Sequence, residues 1–505
     1  MHDPTTSSTI RIAILGGGLA GVALLKGLLK YPHIAADLYE ARPGPALRDE
    51  AGPAVELSAA SLTALRLIDP SWNLDLDARL VRAGALLTAT EVRLASGPRA
   101  GQRVQVPVPF PAAGAGAGPH KTVVGRQALL AELAAGLPPR ALHFNKRVTA
   151  VREIGGGEDN AGGGALVVVF GDGSQKRYDV VIGADRTLGG VVRKHVLSSG
   201  GCGGSGTATN RPRPTGFWGL HVTVPLERAQ SFLGETELRP TSAAAAVAAQ
   251  QPEVRWVGDG TFMQHGLVNG GRDVQVVAYA RLGGGGDNGH DDDANGGEES
   301  PSWVRLFTPD EFEAMFAGCQ PVVCKGIVKL FRSVYTVHIP GLLEMQNDGG
   351  GGGELPNTIT TAATRRCTTL LTPATTTTPP FPSPSTASTT TTLAIEEALV
   401  LSTLLGAAGP RSDSTTNAIP AALRAFEAVC RPRARRAARL ACETTALLAG
   451  CAPGVGLDAG KLAGAYCGAE SGDDCGGDGG GGVQARLAAA VGVMEQQLLL
   501  LGRQG

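Results

Sequence analysis

Residues 10–42 read IRIAILGGGLAGVALLKGLLKYPHIAADLYEAR, and four residues in this stretch have types and spacing that suit chemistry on a nucleotide. Gly16, Gly18 and Gly21 stand in G-x-G-x-x-G order, and Glu40 follows at about the 20-residue distance at which an acid meets a ribose. Gly16 permits a tight turn, Gly18 lets backbone approach a pyrophosphate without a Cβ in the way, and Gly21 lets a helix lie close to a sheet. Unpaired N–H groups at the start of that helix carry a partial positive charge suited to phosphate. Such spacing means little in a chain with 72 glycines, so its flanks matter. Ile12-Ala13-Ile14-Leu15 precedes it as a short buried strand, residues 22–29 are apolar at helical spacing, and a second apolar run ends at Leu38-Tyr39. Strand, glycine turn, helix, strand and acid in that order describe a dinucleotide site.

The bulk of the chain narrows the remaining chemistry. At 505 residues there is room for two domains or more. A net charge of -1 and a pI of about 6.8 leave no basic surface for nucleic acid or an anionic membrane. Nine cysteines occur in no C-x-x-C pair and at no zinc-like spacing, which predicts free thiols, a reducing compartment and a cytoplasmic location. His290-Asp291-Asp292-Asp293 reads as a solvated acidic loop rather than a metal site, because nothing there fixes ligand geometry. The first residues, MHDPTTSST, have no basic segment, so no signal peptide is expected. No apolar run reaches the roughly 18 residues of a membrane span.

The positioning elements follow in order. Residues 61–68 and 127–136 carry apolar residues at helical spacing, and residues 83–108 read as strands. Gly171-Asp172-Gly173 is a hairpin turn, and Tyr178-Asp179-Val180-Val181-Ile182-Gly183-Ala184-Asp185 is a buried strand ending in an acid. The combination of GGGLAG, Glu40, the EAGPAV of residues 50–55, the VGRQALLAEL of residues 124–133 and DVVIGAD resembles the flavoprotein monooxygenases of the salicylate hydroxylase type, in particular their fungal branch. Further on, residues 256–266 resemble that family's substrate-domain strands, LAIEEA at 393–398 its A-I-E-D-A helix, and Arg431-Pro432-Arg433 its R-P-R turn. The resemblance spans roughly residues 10–450 with gaps.

The resemblance implies an α/β fold, a Rossmann-like FAD-binding domain with an inserted β-rich substrate domain. Its expected parts are residues 10–200 and 354–450 for the FAD-binding domain, 215–345 for the substrate sheet, and 451–505 for a glycine- and alanine-rich tail with a helix at 483–501. It further implies that NADH or NADPH reduces bound FAD and that one oxygen atom of O₂ enters an electron-rich ring, such as that of a phenol or salicylate. Gly16, Gly18, Gly21, Glu40, Arg42, Gly52, Ala54, Arg126 and Asp185 fall where the family holds its cofactor. His221, following Thr215-Gly216 at a place where fungal relatives often carry an arginine, is the candidate catalytic group. It would take a phenol proton or pair with a carboxylate; a strand histidine making one structural hydrogen bond is the competing reading. His265 is a weaker second, and Trp218 and Phe262 are candidates for an aromatic lining that core packing explains as well.

The sequence departs from the family in three places. Arg186 replaces the glycine after Asp185, and Gly52-Pro53-Ala54 replaces G-A-G. The second FAD signature, G-D-A-A-H, should precede the A-I-E-D-A helix, but residues 370–376 read LLTPATT with Pro373 in the aspartate's place, and a Pro/Ser/Thr run over 379–392 replaces its glycine turn. Proline has neither the carboxylate nor the N–H of that aspartate. Two readings stay open: a working aromatic monooxygenase, or a non-catalytic relative with impaired flavin binding.

Overall fold

The computed structural model describes residues 9–44, 54–105, 121–154, 165–185, 213–238, 252–281, 304–346, 384–409 and 418–467, with short pieces at 191–192, 195, 358–360 and 367–370. Gly52, Arg186, Pro373, the acidic loop and residues 483–501 lie outside them.

A six-stranded sheet forms around Ile10–Leu15. It pairs in parallel with Ile34–Tyr39 on one side and Val180–Gly183 on the other, and Cys367–Leu370 adds in parallel beyond that. The strands are near-continuous apolar runs because both faces are covered, one by helices and the other by the three-stranded sheet of Val148–Ile154, Ala165–Phe170 and Gln175–Tyr178. Leu19–Leu28 is one such helix. Pro384–Ala407 lies directly on it, with almost no space between them: a Cβ on Gly27 would sit 2.5 Å from Ser402 Oγ, and one on Gly406 would sit 2.1 Å from the Tyr31 ring. Ile14, Leu24, Ile395, Leu399 and Leu405 share the resulting core. The second helix starts at Pro384, well before the apolar LAIEEA stretch. Proline is tolerated in a first turn, where its missing N–H has no partner to lose.

The second body is an eight-stranded sheet. At its centre Arg213–Pro225, Asp273–Arg281, Thr261–Val268 and Glu253–Val257 run antiparallel in that spatial order. Its far edge is built from Thr90–Leu94 and Arg103–Val104, the first of them parallel to Glu253–Val257. The expected boundaries put these residues with the FAD-binding part. Alternation marks a strand but carries no information about which sheet it joins. A small sheet, Ala54–Leu57 with Lys121–Gly125 and Leu86–Thr88, lies between the two bodies.

The R-P-R segment is also not a turn. Pro432 sits inside the long helix Ala418–Leu448. The helix continues through the lost hydrogen bond, and two ion pairs flank it: Arg433 to the fully buried Glu396 at 2.7 Å, and Arg431 to Glu427 at 3.0 Å. No helix of the described residues is long and apolar enough to cross a membrane.

Candidate active site

The glycine turn leaves the C-terminal edge of the six-stranded sheet, and each glycine has a steric reason. Gly16 has φ of +123°, and a Cβ there would lie 2.7 Å from the backbone N of Asp185. A Cβ on Gly21 would lie 2.0 Å from the carbonyl oxygen of Gly16, so the turn closes onto the first helical turn only because that atom is missing. Gly18 is the N-cap of the Leu19–Leu28 helix and makes no side-chain cap, which leaves the helix N-terminus to an anion. A Cβ on Gly18 would meet Nη2 of Arg126 at 3.4 Å, so the guanidinium stands over the turn.

Glu40 ends the second strand and is nearly buried. Its Oε2 accepts from the Gly17 N–H at 2.8 Å, and its Oε1 accepts from the Arg42 N–H at 3.0 Å and from Arg42 Nε at 3.4 Å. Arg42 thus braces the acid, and the acid holds the turn. Parallel pairing also aligns Leu15, Gly183 and Leu370 along one edge, so all three strands end on the side of the sheet that carries the glycine turn.

Arg126 opens the helix Arg126–Ala134 immediately after the Lys121–Gly125 strand. Gly125 pairs with Ala54, which brings Arg126 beside the segment that follows Gly52. The Ala54 N–H donates to Gln275 Oε1 at 2.7 Å, tying this small sheet to the large one. Glu56, Lys121, Glu253 and Arg255 continue the seam. Lys121 bonds both glutamates and Arg255 bonds both again, at 2.9 Å to Glu253 and 3.2 Å to Glu56. Burial pushes the Glu253 carboxyl up, but Lys121 and Arg255 outweigh it and the net shift is downward.

Register sorts the large sheet into two faces, because directly paired residues point the same way. One face is covered by the helices Leu226–Leu233, Pro309–Met315 and Val322–Val334; Leu220, Val222, Val276, Ala278 and Met263 lie there. Trp218 is on this face, with its ring edge-on to Phe307 at 5.4 Å. His265 is there too, opposite Val276 and Val254. The other face carries Gln275 toward Ala54, and His221 shares it through the pairs Thr223–Gln275 and His221–Val277. Phe262 and Tyr279 pair further along the same face, where residues 447–465 cover it. Burial lowers the His221 imidazole to about 4, so it is neutral at pH 7, and its Nε2 lies 3.4 Å from Thr223 Oγ1.

No family model matches the chain. An FAD-dependent monooxygenase of a Phoma species is 27% identical over 332 residues, covering 64% of each chain. A 6-methylsalicylate 1-monooxygenase of Aspergillus terreus is 26% identical over 54% of each chain, and a salicylate hydroxylase of Pseudomonas putida is 30% identical over 54% of each. The chain thus spans between half and two thirds of the length of these relatives. Among solved structures, a salicylate hydroxylase in complex with substrate superposes with a TM-score of 0.60 at 21% identity, over 90% of this chain and 93% of that one. A 2,6-dihydroxypyridine-3-hydroxylase from Arthrobacter nicotinovorans gives 0.57 at 14% identity, over 87% and 93%. The fold is that of the FAD-dependent aromatic hydroxylases.

Within this hydroxylase fold the expected residues divide cleanly. Gly16, Gly18, Gly21, Glu40, Arg42, Arg126 and Asp185 gather around one turn, and Ala54 pairs with Gly125 beside Arg126 and bonds Gln275 of the large sheet. His265 and Trp218 lie on the helix-covered face, away from Ala54, since each is an odd number of positions from Gln264 or His221 on its own strand. Gln275, Gln264 and the four-charge seam were not anticipated. A charged Glu-x-Arg in an otherwise apolar strand, Glu253 and Arg255, was the signal available for the seam.

Proposed function

We propose that the chain is an FAD-dependent monooxygenase that hydroxylates a small phenol- or salicylate-like aromatic, using NADH or NADPH and O₂. The observation that carries this reading is the Ala54–Gln275 hydrogen bond. It joins the Arg126-topped glycine turn to the sheet face that bears His221. The cradle fits the cofactor, because Gly16 and Gly21 let the turn close tightly, Gly18 leaves the helix N-terminus uncovered, and Glu40 is held beside the turn where a ribose would lie. Several solved proteins of similar fold are FAD complexes, which supports the choice of cofactor. When bound, FAD supplies the hydride acceptance and the activation of dioxygen that no side chain can.

The chain's own residues would do the rest. The helix N-terminus and Gly18 would hold the pyrophosphate, and Arg126 would stand against the cofactor's anionic groups. His221, neutral and desolvated, would accept the hydrogen bond of the substrate hydroxyl. With its imidazole held to about 4 and a free phenol near about 10, full proton transfer is uphill, so its work is to orient and polarise the hydroxyl. The apolar Val277 beside it and the packed sheet would keep water away. The buried thiols of Cys319, Cys324 and Cys430 support a reducing, cytoplasmic setting.

The test is the visible spectrum of the purified full chain, followed by product analysis after mixing with NADH or NADPH, O₂ and salicylate. Flavin absorption and a ring-hydroxylated product are expected. The second reading, a fold that keeps only the adenine end of the cofactor, rests on Pro373 and the Pro/Ser/Thr run alone. That reading predicts ADP binding without flavin absorption. It further predicts that grafting a G-D-A-A-H segment with its glycine turn over residues 372–392 restores both flavin and product.

A further inference from the structure

Among the side chains on the site-facing surface of the large sheet, Gln264 differs from its neighbours. Gln275 is bonded to Ala54, and Arg255 is bonded to Glu253 and Glu56. Gln264 is 6% exposed, and its Oε1 has no donor among the described residues. Its position is fixed by register. Gln264 pairs with Val277, and Val277 pairs on its other side with His221. The three form one cross-strand row, with an apolar residue between two polar ones. Strands two apart lie about 9.5 Å from each other. That separation matches a benzene ring with a polar substituent and a hydrogen bond at each edge.

We infer that Gln264 is a specificity-determining residue, which accepts a hydrogen bond from a second polar substituent on the ring whose hydroxyl lies against His221. The inference rests on the hydroxylase reading and refines its substrate. The orphan atom is a carbonyl oxygen, so the substituent it selects must donate. The favoured class is a phenol with a further O–H or N–H placed meta or para, such as a dihydroxybenzene or an aminophenol, over one with a methyl group there. A buried acceptor left without a donor is unfavourable, and replacing it with an apolar group of like shape relieves the cost. A residue with a purely architectural role would behave in the opposite way, since its removal would cost stability.

The experiment is calorimetric binding to the full chain, which needs no turnover. Resorcinol is compared with 3-methylphenol, and 4-aminophenol with 4-methylphenol. The natural protein is expected to prefer the donor-bearing member of at least one pair by about tenfold, the worth of one well-placed hydrogen bond. Gln264→Leu and the length-matched Gln264→Met are expected to bind both members alike, with a Tm equal to or above that of the natural protein. Gln264→Glu, which keeps an acceptor, is expected to retain the preference. Equal discrimination with and without the amide overturns the inference and leaves the hydroxylase reading standing, as does binding of all four ligands without preference. A large fall in Tm in both apolar variants also overturns it, because it assigns the amide to the architecture. Failure of the natural protein to bind any of the phenols sinks the hydroxylase reading itself.

Discussion

At the scale of single residues, the glycine turn is held by contacts that leave little tolerance. Gly21→Ala would drive a methyl group to 2.0 Å from the Gly16 carbonyl oxygen, backbone that has nowhere to move. The expected outcome is loss of measurable ADP binding together with a lowered Tm, read by calorimetry and thermal melting. Glu40 has two duties. It accepts from the Gly17 and Arg42 backbone N–H groups, and it is the acid nearest the expected ribose. Glu40→Ala should weaken ADP by roughly 1.5–3 kcal/mol, the worth of a charge-assisted hydrogen bond. Unchanged affinity would mean that the acid only braces the turn. Both residues were legible in the sequence because their function depends on near neighbours in the chain. Gln264 and Gln275 were not, since a glutamine in a strand has no spacing signature and acquires a role only from the strand placed beside it.

At the scale of elements, the seam between the small sheet and the large one decides whether Arg126 and His221 belong to one site. Lys121 lies between Glu56 and Glu253, with Arg255 closing the set. Removing one member of a partly buried, bonded charge set leaves another uncompensated and costs up to about 3–5 kcal/mol. Lys121→Met is expected to lower the unfolding free energy by that order, and adding Glu253→Gln should recover part of it. Chemical denaturation of the two variants measures both. Strictly additive effects would show that the four charges do not act as a unit. The sequence shows each strand of this seam but not its mates. Residues 90–94 and 103–104 look alike whichever sheet they join, and the parallel pairing of Thr90–Leu94 with Glu253–Val257 bridges a separation no local pattern encodes.

For the whole molecule, two histidines, the half-buried His221 and the buried His265, set an acid limit on stability. Burial holds His221 and His265 to about 4 each; at His265 the Arg93 charge lowers the imidazole further and Glu253 partly opposes it. In the unfolded chain both return to about 6.5, so between these values the unfolded state binds more protons. Their contribution is therefore complete above about pH 6.5 and is lost as pH falls toward 4. The expected outcome is a urea midpoint that drops steadily from pH 6.5 to 4.5. His265→Met should flatten this slope, because His265 lies in the helix-covered core and neither ring nitrogen has a partner among the described residues. The effect at this one site is on the order of 3 kcal/mol across the full window. A slope unchanged by His265→Met would mean that this imidazole titrates normally.

The sequence by itself determined the nucleotide end of the site. Gly16, Gly18, Gly21 and Glu40 act through the turn, helix and strand that contain them, so their chemistry is written in consecutive residues. Tertiary structure alone decided the proposed substrate end. Whether His221 or His265 shares the face that meets Ala54 depends on which side of a pleated strand meets the small sheet, and a shift of one residue reverses it. Arg126 and Ala54 lie far apart in the chain and meet because Gly125 pairs with Ala54. That pairing is a choice among many strands of similar propensity, and long-range burial makes the choice.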